Sequence, residues 1–158
     1  MQRKKNLEKN IVESIKNNTL IPNVSLGQFV LGNNIREYFK YNTYIYEENP
    51  NKQDGYGFDS FYFVNQELDV RTDNEGTIKC IKSTHECYWN NVNIVGLSYK
   101  KLLSKFDLKP DSEDVCYFSN GKMKTQHVYD FDSVGMQVWV WYGIVRTVIV
   151  NQLGLSRD

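Results

Sequence analysis

The tightest constraint on how this chain folds is a facing pair of β-type segments, Met136 to Trp141 and Ile144 to Val150. The first alternates Met136, Val138 and Val140 with Gln137, Trp139 and Trp141. The second is rich in Val and Ile, and only Tyr142-Gly143 lies between them. Successive strand side chains face opposite ways, so this alternation predicts one buried and one open face. A two-residue turn ending in Gly then returns the chain antiparallel. The pattern recurs earlier. Phe58 to Val64 is aromatic-rich, Glu67 to Thr72 sets Leu68 and Val70 on one face, Asp73-Asn74-Glu75-Gly76 reads as a turn, and Thr77 to Lys82 returns. Asp114 to Phe118 and Gln126 to Phe131, with a turn at Asn120-Gly121, add further strands.

Composition agrees. Among 158 residues there are 17 Asn and no Ala, with 11 Tyr and 8 Phe. The best helix former is missing, while aromatic and β-branched residues suit a pleated surface. Three helical signals stand out nonetheless. Lys5 to Asn17 places Leu7, Ile11 and Ile15 on one stripe, and Asn33 or Asn34 is a candidate cap for a helix carrying Ile35, Tyr38 and Phe39. Ser98 is placed to cap a third, with Tyr99, Leu102, Leu103 and Phe106 at helical spacing. The expectation is therefore one domain over residues 1–158 of α+β class, an antiparallel sheet with a few short helices on one face. An N-terminal helix would span 5–17, a first half about 20–82 and a second half about 93–150.

The halves echo each other. Leu31-Gly32 followed by Ile35, Tyr38 and Phe39 parallels Val95-Gly96 followed by Tyr99, Leu102 and Leu103. The hairpin from Leu68 through Gly76 parallels that from Met136 through Gly143. The expected unit is a tandem helix-strand-strand repeat.

Lys and Arg total 19 against 19 Asp and Glu, so no bulk charge draws the chain to nucleic acid or an anionic membrane. The charged opening residues lack an apolar run and predict no secretory leader. The apolar stretch Val138 to Val150 is interrupted by Arg146 and too short to span a bilayer. Cys80, Cys87 and Cys116 form no CxxC pair, which predicts neither a disulfide nor a zinc site. No phosphate-cradling glycine motif occurs, and no cofactor is expected.

The charge map is more telling than its sum. Residues 41–75 carry eight carboxylates against Lys52 and Arg71, a net charge of −6. The same segment holds Tyr41, Tyr44, Tyr46, Tyr56, Phe58, Phe61, Tyr62 and Phe63 around a loop, Glu47 to Gly57, that contains Pro50, Gly55 and Gly57. Aromatics supply contact area and carboxylates steer a cationic partner. The partner-binding residues expected on this basis are Glu47, Glu48, Asp54, Tyr56, Phe58 and Asp59.

Three stretches carry a resemblance. They are Ile21-Pro22-Asn23-Val24-Ser25-Leu26-Gly27 with Leu31-Gly32, then Asn93-Ile94-Val95-Gly96-Leu97-Ser98, and Val128-Tyr129-Asp130-Phe131-Asp132-Ser133-Val134-Gly135-Met136-Gln137-Val138-Trp139. Over residues 20–150 the chain resembles small bacterial immunity proteins, the antidotes encoded beside polymorphic toxins, including those of contact-dependent growth inhibition. The resemblance implies a cytoplasmic, non-catalytic protein that binds and blocks one cognate toxin domain, a nuclease by preference. No metal, no direct nucleic-acid contact and no membrane association are expected from the residues themselves. The alternatives are a small hydrolase or nuclease using His85 or His127 as acid or base, and a general protein-binding adaptor. The two-histidine mechanism requires both rings in one cleft.

Overall fold

A computed structural model describes residues 18–119 and 123–151. Its centre is one eight-stranded sheet in which every neighbouring pair is antiparallel. Four strands come from the first half: β4 (Tyr44–Glu47), β5 (Asp59–Phe63), β6 (Leu68–Thr72) and β7 (Ile78–Ser83). Four come from the second: β10 (Ser112–Ser119), β11 (Met123–Phe131), β12 (Met136–Trp141) and β13 (Ile144–Asn151). Their order across the sheet is β10-β11-β12-β13-β7-β6-β5-β4. Each half is thus a simple meander. The last strands of the two meanders pair at the centre, and their first strands form the two edges.

A thin layer covers one face. It contains the small sheet of β1 (Leu20–Ile21), β2 (Ser25–Leu26) and β3 (Phe29–Val30), and the hairpin of β8 (Tyr88–Trp89) and β9 (Val92–Asn93). A 3-10 helix, Ile35–Tyr38, and the helix α1, Tyr99–Lys105, complete it. Against this layer the sheet buries Phe63, Leu68, Val70, Ile81, Phe131, Met136, Val138 and Val148, with Phe29, Ile94 and Leu102 from the layer itself. The alternation of β12 is realised: Met136, Val138 and Val140 are buried, while Gln137, Trp139 and Trp141 are half-buried on the other face.

The expected α+β class is corrected by these observations. The described chain is mostly β, and α1 is its one α-helix. The signal at Asn33 to Phe39 yields a single 3-10 turn. Asn34 does cap it, its side chain accepting from the Arg36 N–H at 3.0 Å. The turn ends at once because Asn42 Nδ2 donates to the Tyr38 carbonyl at 2.6 Å, diverting the chain into β4. Ser98 caps α1 through the Lys101 N–H at 3.2 Å, and the left-handed Asp107 (φ 49°) stops the chain from continuing helically. The expected helix 5–17 and the turn at Asn120-Gly121 lie outside the described residues.

The repeated unit is also different from helix-strand-strand. Each half is a short antiparallel sheet (β1-β2-β3 in the first, the β8-β9 hairpin in the second), one short helix and a four-stranded meander. The backbone bonding matches in detail. Gly32 N–H donates to the Ile78 carbonyl at 2.9 Å and Gly96 N–H to that of Val145 at 2.7 Å. Ile35 and Tyr99 N–H donate to the Gly76 and Gly143 carbonyls at 2.8 and 2.9 Å. The register shift between Arg71 and Thr72 in the first half has its counterpart between Trp139 and Val140 in the second.

Candidate partner-binding edge

The acidic-aromatic segment lies along one edge of the sheet. Among the described residues β4 has a neighbour on one side only, β5, with Tyr44 opposite Phe63, Ile45 opposite Tyr62, Tyr46 opposite Phe61 and Glu47 opposite Ser60. All four β4 residues are exposed. Ile45 is 62% exposed, with Tyr41 at 84% and Tyr56 at 72% nearby in the chain. Large apolar side chains on a strand with a free edge are what soluble proteins ordinarily avoid.

Residues 48–58 form a loop whose shape is set by Asn49. Asn49 is buried, and its N–H donates to Asp59 Oδ1 at 2.9 Å. Its own Oδ1 accepts from the Asn51 N–H at 2.9 Å, and its Nδ2 donates to the Tyr56 carbonyl. The backbone N–H and side-chain amide of this one residue therefore tie the loop at three points. Gly57 closes it at φ 79°, where an added Cβ would stand 2.8 Å from Asn49 Oδ1. The backbone angle and the packing both demand glycine. Gly55, at φ 75°, ends the short 3-10 turn Lys52–Asp54 and sits in open space. The loop holds Tyr56 and Phe58 out beside the edge.

Five of the six residues expected at a partner surface, Glu47, Glu48, Asp54, Tyr56 and Phe58, are exposed on this edge and its loop. Asp59 stands apart from them. It is 7% exposed, accepts the Asn49 N–H and lies 3.6 Å from Lys52 Nζ. Its carboxylate holds the loop rather than facing outward. Lys52 also approaches Glu48, at 3.7 Å, and Arg71 pairs with Asp69 at 3.2 Å. Both cations of the segment are thus engaged locally, whereas Glu47 and Asp54 have no ion-pair partner among the described residues. Desolvation, then the nearby Asp59 carboxylate, raise the Tyr46 phenol above its ordinary pKa, so at neutral pH it is an uncharged donor.

Sequence reasoning placed the loop and its acids but missed the strand. Tyr44-Ile45-Tyr46 is three strand-favouring residues in a row, and that was the available signal. It also counted Phe61 and Phe63 with the surface aromatics, whereas both are buried beneath the edge, packed with Phe39 and Tyr44. A cleft of about 340 Å³ lies between the 3-10 helix and β4 to β6, walled by Arg36, Phe39, Tyr44 and Tyr46.

The other candidates are dispersed. His85 follows β7 and lies 3.9 Å from Glu67. His127 sits on β11, 3.1 Å from Glu113. Strands β12 and β13 run between β11 and β7, so three strand spacings, about 14 Å, separate the strands that lead to the two histidines. They share no cleft. Cys80, Cys87 and Cys116 are all free thiols. Burial pushes the Cys80 thiol up to about 11 and the Cys87 thiol higher still, so neither is a ready nucleophile. Among the described residues no group of His, Cys, Asp and Glu is arranged to hold a metal, and no helix is long and apolar enough to cross a membrane. The chain matches no protein-family model, no curated protein and no solved structure.

Proposed function

We propose that this protein is an immunity protein that binds a cognate, basic toxin domain and occludes its active or substrate-binding surface. The observation that carries the reading is the β4 edge: consecutive exposed Tyr44, Ile45 and Tyr46 beside Glu47 and Asp54, which have no ion-pair partner among the described residues. A nuclease toxin must hold phosphates and so presents cations. An antidote that outcompetes the substrate needs nanomolar binding or better, about 12 kcal/mol. Aromatic anchors supply contact energy and the acidic surround speeds encounter. The resemblance to immunity proteins supports the same reading.

The test is charge reversal. A variant carrying Glu47→Lys, Glu48→Lys and Asp54→Lys should fold normally, associate with the cognate toxin domain more slowly and fail to protect cells from it. Asp59 is left intact because reversing it would break the Asn49 loop. Full protection with unchanged association rate and salt dependence would move the interface elsewhere. The absence of any toxin-like partner would overturn the reading.

A further inference from the structure

The free edge of β4 has a specific hydrogen-bonding geometry. In an antiparallel pair, opposed residues alternate between those that exchange both backbone bonds and those that exchange none. The Val64 N–H donates to the Thr43 carbonyl at 3.0 Å, which makes Thr43 and Val64 a bonded pair. Counting along the register, Ile45 with Tyr62 and Glu47 with Ser60 are the next bonded pairs. The N–H and C=O groups of Tyr44 and Tyr46 therefore point away from the sheet. They are two donors and two acceptors at strand spacing, on a segment whose side chains are all exposed.

The opposite edge differs at its start. β10 opens with consecutive exposed Glu113 and Asp114, preceded by Asp111, before the exposed Val115 and Tyr117. Charges of this kind guard an edge against strand addition. β4 carries no charge until its last residue, and no proline, so nothing in it blocks an incoming strand.

We propose that β4 takes up an extended, lysine- or arginine-bearing segment of the partner as a ninth strand, bonded to the outward backbone groups of Tyr44 and Tyr46. This rests on the binding reading above and specifies its mode. The charge around the edge selects the occupant. Glu47 ends the strand and Glu48 and Asp54 lie in the loop after it, so a cationic segment is attracted, while a second copy of this chain would bring up a like-charged surface. Side chains of the added strand that alternate toward Ile45 and Glu47 should be apolar and basic in turn.

The probe is a random dodecapeptide library selected on the full chain, with the enriched peptide then synthesised. Selected sequences should carry Lys or Arg two residues away from a β-branched or aromatic residue, on the same face of the strand. In the complex, amide exchange at Tyr44 and Tyr46 should slow at least tenfold. N-methylating alternate peptide amides should weaken binding at least tenfold. Tyr46→Pro removes an outward N–H that makes no ladder bond, so the sheet tolerates it, and it should weaken binding at least tenfold. Tyr46→Thr keeps the N–H and should weaken binding at least threefold less than Tyr46→Pro. Tyr44→Pro is the second test of the same kind.

Failure to enrich any peptide, protection mapping to β10, or Tyr44→Pro and Tyr46→Pro variants that bind as well as wild type would overturn strand addition. A concentration-dependent dimer abolished by Tyr46→Pro would assign the edge to a second copy and overturn the cationic partner. If the proline variants bind normally while the triple lysine variant does not, strand addition fails and the acidic surface survives. If both variants still protect against the toxin, the surface itself is excluded.

Discussion

The two meanders share a backbone and differ in what they present. Counted along the matching registers, Ile35 corresponds to Tyr99, Phe39 to Leu103, Tyr44 to Asp111, Tyr46 to Glu113, Asp59 to His127, Phe61 to Tyr129 and Thr72 to Val140. In the first half Phe61 is ringed by Phe39, Tyr44 and Tyr46, with centroids 4.9 to 5.8 Å away. In the second its counterpart Tyr129 stacks on Tyr99 at 4.1 Å, and its hydroxyl donates to Glu113 at 3.3 Å. Equivalent core positions stay apolar in both halves: Ile81 and Val148, Val70 and Val138, Phe63 and Phe131 are all buried. Backbone pairing and core volume are common to the halves, whereas the edges have diverged. An edge side chain has no partner across it to constrain its identity, so it is free to take on recognition.

The largest effects should fall where the halves are equivalent. Phe63→Ala and Phe131→Ala each empty a fully buried site at matching positions, and each should cost about 3–5 kcal/mol of unfolding free energy. Chemical denaturation should show one transition for both variants, because β7 and β13 join the meanders through the core. Two separate transitions would mean that the halves unfold independently. Gly135→Ala comes next. Gly135 sits at φ 61°, where an added Cβ would run into the Asn151 carbonyl and the Asn23 side chain. Left-handed strain and this overlap together should cost roughly 3 kcal/mol, read in the same experiment.

A transplant of edge residues tests the divergence directly. Tyr44→Asp with Tyr46→Glu gives β4 the side chains of its second-half counterparts, Asp111 and Glu113. The lost ring contacts to Phe39 and Phe61, at 4.5 and 4.9 Å, should cost about 1–2 kcal/mol of stability. Partner binding should fall at least tenfold with the fold intact by circular dichroism. Retained binding would show that the recognition surface does not depend on these two rings.

Much of this fold was legible because antiparallel meanders are encoded locally. Period-2 alternation in Leu68 to Thr72 and Met136 to Trp141, with turns at Gly76 and Gly143, gave strands, register sense and faces together. The helices were overestimated for a physical reason. Ile35, Tyr38 and Phe39 satisfy helical spacing, but the spacing is equally met by one 3-10 turn when Asn42 takes the next free carbonyl. The small hairpins were missed because two-residue strands have no period to detect. The signal present was Asn90-Asn91, which adopts φ 47° and 63° between Trp89 and Val92, the geometry of a tight hairpin turn. At the candidate site the acids were legible by composition, but burial was not. Asp59 and Glu48 look alike in sequence, and only the Asn49 loop makes one structural and the other exposed.

The smallest expected effect comes from the position where the halves disagree about glycine. Glu67 precedes β6 as Gly135 precedes β12, one residue before the buried Leu68 and Met136. Both residues are left-handed, at φ 53° and 61°. For a residue with a Cβ that conformation costs roughly 1–2 kcal/mol, which the first half bears and the second half avoids. Glu67→Gly should remove this strain, offset in part by the greater freedom of glycine in the unfolded chain, about 0.5–1 kcal/mol. The lost carboxylate contributes little, since its approach to His85 is a solvent-exposed pair at 3.9 Å. The net expectation is a gain of about 0.5–1 kcal/mol, opposite in sign to Gly135→Ala and measured as a rise in denaturation midpoint at unchanged slope. A loss of stability on Glu67→Gly would mean that the side chain contributes more than its exposure suggests, and that the two turns are not equivalent.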